Sequence, residues 1–177
     1  MGNSYPDKTN ASGIWKINEI SKNKVTNKNF PNGGARGLWM GGGAPGLSDV
    51  MDFITFSTTG DATDFGNLSA ARDLHGGGSS ATRALSAGGQ APGVSNVIDF
   101  VTIAATGNAS DFGDLTDQRG YCAGMANDTR QITSGGLDPG FSNIIDFVEI
   151  ASTGNAVDFG NLTSTPALNT NCASPTR

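Results

Sequence analysis

Asn96–Ala104 reads Asn-Val-Ile-Asp-Phe-Val-Thr-Ile-Ala. Val97, Asp99, Val101 and Ile103 alternate with Ile98, Phe100 and Thr102, which is the two-residue period of a β-strand. Both sets are largely apolar, so the strand is expected to be covered on both faces, as in stacked sheets. The same stretch stands 47 residues earlier, with Val50, Met51, Phe53, Ile54 and Phe56, and 47 later, with Ile144, Ile145, Phe147, Val148 and Ile150. The offset never slips: Asp52, Asp99 and Asp146 keep it, as do Gly60, Gly107 and Gly154, and Phe65, Phe112 and Phe159. A period of this length marks a unit that cannot bury its apolar face alone and must stack on its neighbours.

The marks within one period are those of short strands and tight turns. A strand begins at Arg36, Arg83 and Arg130 and runs into Gly-Gly. The apolar strand follows, then Thr-Gly-Asn or its equivalent as a hairpin turn, then a short strand carrying the Phe. Another short strand follows Arg72 and Arg119. Four short strands fill 47 residues, and four-stranded units of this length are propeller blades. The expected fold is all-β, with three repeats at 36–82, 83–129 and 130–177 and an N-terminal extended docking arm at 1–35. A β-trefoil, which also uses three four-stranded repeats, is the alternative.

The order of marks resembles the kelch motif in degenerate form, with Asp-Phe in the third strand and Phe65, Phe112 and Phe159 in the fourth. Asn96–Thr116, together with Ser12-Gly13-Ile14-Trp15 ahead of the first repeat, resembles the repeat proteins of marine tailed phages. That resemblance implies a virion structural protein; with the scarcity of residues suited to chemistry, the expectation is a non-enzymatic capsid decoration or tail component without cofactor, docked on other virion proteins by its arm. A glycan-binding adhesin for host attachment is the other function weighed. Its binding loops would be Gly41–Ser48, Gly88–Ser95 and Gly135–Ser142, but these carry no Trp or Tyr to stack on a sugar.

Composition agrees with a strand-and-turn chain: 26 of 177 residues are Gly and only 15% are charged. All five lysines precede residue 30 and, with Asp7 and Glu19, give that segment +3; six arginines against fourteen acids leave −8 for the rest. An acidic repeat body argues against nucleic-acid binding. No apolar run is long enough to span a bilayer as a helix. The first ten residues lack the apolar core of a secretory signal, and Pro6 stands where myristoylation wants Ser or Thr. In the arm, Ile14, Trp15, Ile17 and Ile20 form an apolar cluster suited to docking on a partner.

Few residues suit chemistry. One His and two Tyr cannot build the imidazole–tyrosine copper centre that some kelch-type enzymes carry. His75 reads as a tolerated strand residue, since Cys122 takes its place one period on. Cys122 and Cys172 are 50 apart, out of phase, and read as free thiols. Asp61, Asp64, Asp111, Asp114 and Asp158 sit in acidic turns that could offer oxygens to calcium, although tight turns want the same residues. No metal site is expected. Asp52, Asp99 and Asp146 lie inside apolar strands and must accept bonds from loop N–H groups or a repeated Arg. Three repeats are too few for a ring, since propellers use about four to eight blades. Head-to-tail self-association is therefore expected, with Thr165–Thr176 completing the partner's first blade.

Overall fold

The computed structural model describes residues 36–43, 45–167 and 171–173. The arm at 1–35, with Ile14, Trp15, Ile17 and Ile20, lies outside the described residues. The described residues contain no helix and form three antiparallel sheets. Sheet I is β1 (Arg36–Gly42), β2 (Ser48–Thr55) and β3 (Thr63–Asn67). Sheet II opens with β4 (Gly76–Ser79) and β5 (Arg83–Ala87); the small ribbon β6 (Gln90–Ala91) and β7 (Gly93–Val94) intervenes; β8 (Val97–Thr102) and β9 (Ser110–Asp114) complete it. Sheet III is β10 (Ala123–Ala126), β11 (Arg130–Ser134), β12 (Ile144–Glu149) and β13 (Val157–Asn161). Each sheet is a meander in which consecutive strands pair.

The register repeats with the sequence. Leu38 faces Phe53, Leu85 faces Phe100, and Ile132 faces Phe147. The pairing shifts at the same point in all three sheets, between Met51 and Asp52, Ile98 and Asp99, and Ile145 and Asp146. The residue skipped on the outer strand is Phe65, Phe112 or Phe159. A bulge turns a side chain out of strict alternation, and here the skipped Phe stands edge-on to Phe53, Phe100 or Phe147 of its own sheet. In the first two units that Phe lands on the next sheet, where Phe65 and Phe112 are each 2% exposed.

The core consists of the gaps between sheets. One cluster joins Met51, Phe65 and Leu68 on the back of sheet I to Ala84, Val101 and Ile103 on the front of sheet II. The other joins Leu85, Ala87, Ile98, Phe112 and Leu115 on the back of sheet II to Val148 and Ile150 on the front of sheet III. Burying one such Phe is worth about 1.5–3 kcal/mol. The two-faced burial expected of the apolar strands thus holds for β8. It fails for β2 and the residue that follows it, where Val50 and Phe56 are exposed and no described sheet lies in front of them.

Two glycine positions fix how closely the sheets approach. Gly88 sits at φ +67, and a Cβ there would stand 2.6 Å from the Arg119 carbonyl of the following linker. Gly124 in β10 lies against the backbone of Gly77 in β4, so a Cβ at Gly124 would collide with it.

The three sheets stay separate and share no ladder, which removes the common barrel that a trefoil needs. The stretch expected to complete a partner's first blade, Thr165–Thr176, is described only in part, and no partner chain is present to test that pairing. The described part of Thr165–Thr176 is not in a strand; Pro166 accepts a bond from Gly136 N at 3.1 Å, and Asn171 Nδ2 donates to Ser134 Oγ at 3.0 Å.

Candidate functional site

The polar residues that recur with the period converge on the joints between sheets. Asp99 enters from β8 and is fully buried. Its carboxylate accepts bonds from Arg72 Nη2, from Ser69 N at 3.0 Å and from Ser69 Oγ at 2.8 Å. Arg72, also buried, belongs to the linker that leaves sheet I, and its Nη1 donates to Val97 O at 3.0 Å. The next joint repeats the plan. Arg119 Nη2 lies 2.8 Å from Asp146 Oδ2, and Thr116 donates through N at 3.2 Å and through Oγ1 at 2.7 Å. Each Asp therefore takes both a loop N–H and a guanidinium, and both come from the preceding unit.

Arg36, Arg83 and Arg130 do something else. Each guanidinium lies over the Phe diagonal to it on the neighbouring strand, with centroid distances of 4.5 Å for Phe53, 4.8 Å for Phe100 and 4.6 Å for Phe147. Arg36 Nη1 also reaches forward to Ile103 O at 2.8 Å, and Arg83 Nη1 to Ile150 O at 2.9 Å. Arg130 has no described sheet ahead of it and pairs with Glu149 at 2.6 Å, with both side chains nearly half exposed.

The hairpin turns are a third clamp. Gly107 N donates to Phe65 O at 2.7 Å, Ala109 N to Asn67 O at 2.8 Å, and Asn108 Oδ1 accepts from Asn67 N at 3.0 Å. Gly154, Ala156 and Asn155 hold Phe112 and Asp114 in the same way, at 2.7, 2.7 and 3.1 Å. In the acidic turns, Asp111 Oδ1 accepts from Gly113 N at 3.1 Å and Asp158 Oδ1 from Gly160 N at 2.9 Å, which is turn chemistry. Among the described residues, no three His, Cys, Asp or Glu side chains are grouped to hold a metal ion.

His75 lies just ahead of β4, and its Nε2 is 2.7 Å from Met40 O; burial holds its pKa below the usual imidazole value. Cys122, one period on, points its Sγ at the equivalent carbonyl, Ala87 O, at 3.5 Å, and burial pushes its thiol pKa up. The pair is thus a recurring side-chain-to-backbone tie from the linker ahead of one sheet to the sheet before it, which the reading of His75 as merely tolerated had missed. Both thiols are free, Cys122 buried and Cys172 exposed.

The period is broken at its two ends. The Asp52 carboxylate has no hydrogen bond or ion pair among the described residues, whereas those of Asp99 and Asp146 are latched. Phe159 is 57% exposed where Phe65 and Phe112 are buried. Trp39 and Phe56 on the front of sheet I are 56% and 68% exposed. A groove of about 430 Å³, lined by Arg36, Met40 and His75 among others, runs between β1 and β4. Sequence reading singled out Arg36, Asp52, Phe65, Arg83, Asp99, Phe112, Arg130, Asp146 and Phe159. The structure brings these to the joints in sheets II and III and leaves Asp52, Arg130 and Phe159 at open faces. Arg72 and Arg119 were the missed members, although their shared phase was visible. No protein-family model matches the chain, and no curated protein matches it.

Proposed function

We propose that the chain is a non-enzymatic structural protein of a tailed-phage virion, a capsid decoration or tail component. Its sheets serve as kelch-like propeller blades and act as a rigid platform, and its N-terminal arm docks the platform on another virion protein. The observation that carries the structural half of this reading is the use made of the reactive side chains. Arg72, Asp99, Arg119 and Asp146 are buried in ion pairs between units, and His75 and Cys122 are turned onto backbone carbonyls. A neutral, half-buried imidazole hydrogen-bonded to a carbonyl and a protonated, buried thiol are poorly placed for acid–base or nucleophilic work. The virion half rests on the resemblance of Asn96–Thr116 to phage repeats. Quantitative mass spectrometry of gradient-purified particles tests it. Peptides of this chain at a fixed ratio to a major capsid or tail protein, retained through a high-salt wash, support the reading. Their absence from particles, with the chain abundant in the infected cell, overturns it.

A further inference from the structure

We propose that the front of sheet I and the back of sheet III are two halves of one interface, and that a second copy of this chain joins them head to tail. The internal joints supply the template, because the repeated bonds that cross them leave unmatched halves on the front of sheet I and the back of sheet III. Arg36 and Arg83 donate forward to Ile103 O and Ile150 O; Arg130 has no such acceptor among the described residues, and the carbonyl in the matching phase is that of Phe56. Phe65 O and Phe112 O accept from Gly107 N and Gly154 N; Phe159 O has no counterpart among the described residues, and Gly60 N is the donor in phase. Asn67 N and Asp114 N donate to the side chains of Asn108 and Asn155; Asn161 N would find the carboxylate of Asp61. Ser69 and Thr116 hold Asp99 and Asp146; Thr163 stands in the same phase and would hold Asp52 of the next copy.

The apolar halves match as well. Phe159, 57% exposed, is the residue that in the other two units fills the next sheet's front face. Phe56, 68% exposed, occupies the place of Ile103 and Ile150, which are buried by the sheet before them.

A volume exchange specifies the partner further. The buried arginine of the internal joints, Arg72 and Arg119, is replaced by Pro166 in the third unit. The residue cross-strand from the buried Asp is Ser86 opposite Asp99 and Thr133 opposite Asp146, but Trp39 opposite Asp52. The face that would meet Pro166 thus gains a large side chain where its equivalents are small. Cross-strand partners share a face, so Trp39 lies beside Asp52 and brings one indole N–H where the guanidinium is missing. Loss of Arg on one open face and gain of Trp on the other are compensating changes only if those two faces meet. A heterologous contact of this kind closes into a ring or continues as a filament, depending on the rotation it imposes.

Sedimentation velocity of the full chain over a micromolar dilution series tests the proposal. The wild type is expected to self-associate. Phe159→Glu and Phe56→Glu each place a charge at an exposed position, and each is expected to weaken association at least tenfold while keeping the wild-type circular dichroism. An equimolar mixture of the two variants should give a 1:1 complex that grows no further, since one variant retains the front face and the other the back. A second pair keeps the proposal open to refutation if either charge disturbs folding. Pro166→Arg and Trp39→Ser should each weaken association, and the double variant, which rebuilds the internal latch, should recover it. A wild type that stays monomeric across the series would overturn the proposal and leave the open faces to the chain's own residues 1–35. Self-association that survives in Phe159→Glu alone, or variants that do not combine on mixing, would overturn it in favour of a face-to-same-face contact.

Discussion

Arg119→Met isolates what the buried latch contributes. Asp146 is fully buried, and the substitution removes its 2.8 Å contact with the guanidinium while leaving Thr116 N and Oγ1 as donors. Removing one partner of a buried ion pair costs about 3–5 kcal/mol, because a carboxylate is left uncompensated out of water. The two Thr116 bonds hold the expected loss to the lower end, about 3 kcal/mol. For a chain of this size that corresponds to a fall of roughly 6–12 °C in Tm. The double variant Arg119→Met/Asp146→Asn removes both charges and keeps an oxygen for Thr116 N. It is expected within about 1 kcal/mol of wild type, since a neutral pair carries no ion-desolvation cost. Arg119 Nε and Nη1 find no partner even in the wild type, so their removal strands nothing further. Urea denaturation of the four members of the cycle measures the coupling. A single variant within 1 kcal/mol of wild type, or a double variant no more stable than Arg119→Met, would refute the latch as the origin of the effect.

Three other outcomes follow from the same geometry. Phe112→Ala should destabilise by about 3–5 kcal/mol, whereas Phe159→Ala, in dilute monomer, should cost under about 1 kcal/mol, by denaturant titration. Ellman's reagent should titrate one thiol rapidly in the native protein, Cys172, and the second only on unfolding, because Cys122 is buried with its thiol pKa raised. Burial lowers the His75 pKa, so the unfolded chain binds its proton more readily and stability falls as pH drops through the ordinary imidazole range. Melting curves of His75→Cys, which installs the residue found one period later, should lack that component of the acid-side loss.

The period made the strands legible, because a two-residue alternation repeated in phase leaves little freedom of register. It also located the strand that starts at Arg36, Arg83 and Arg130 and the need of each buried Asp for donors. It did not show which Arg would answer. Residues in phase are equivalent, not adjacent, and the bonds that matter cross a joint from one unit to the next. Arg72 reaches Asp99 over 27 residues, in a different phase. The bulge that lets Phe65 and Phe112 fill the gap to the next sheet was hidden in the same way, since a strand alternation count has no place for a skipped residue. The open faces were legible in principle: Pro166 after two arginines, and Trp39 before Ser86 and Thr133, are departures from phase that a repeat reading smooths over.

Amide hydrogen exchange on dilute protein tests the stacking account most directly. Sheet II is covered on both faces and receives the full Arg72–Asp99 latch, so β5 and β8 should hold the slowest amides, opening only with global unfolding. Sheet I, with Asp52 unlatched and Trp39 and Phe56 exposed, should exchange sooner by sub-global opening. Uniform protection across the three sheets, or a sheet II that opens before sheet I, would contradict the claim that these units stand only by covering one another.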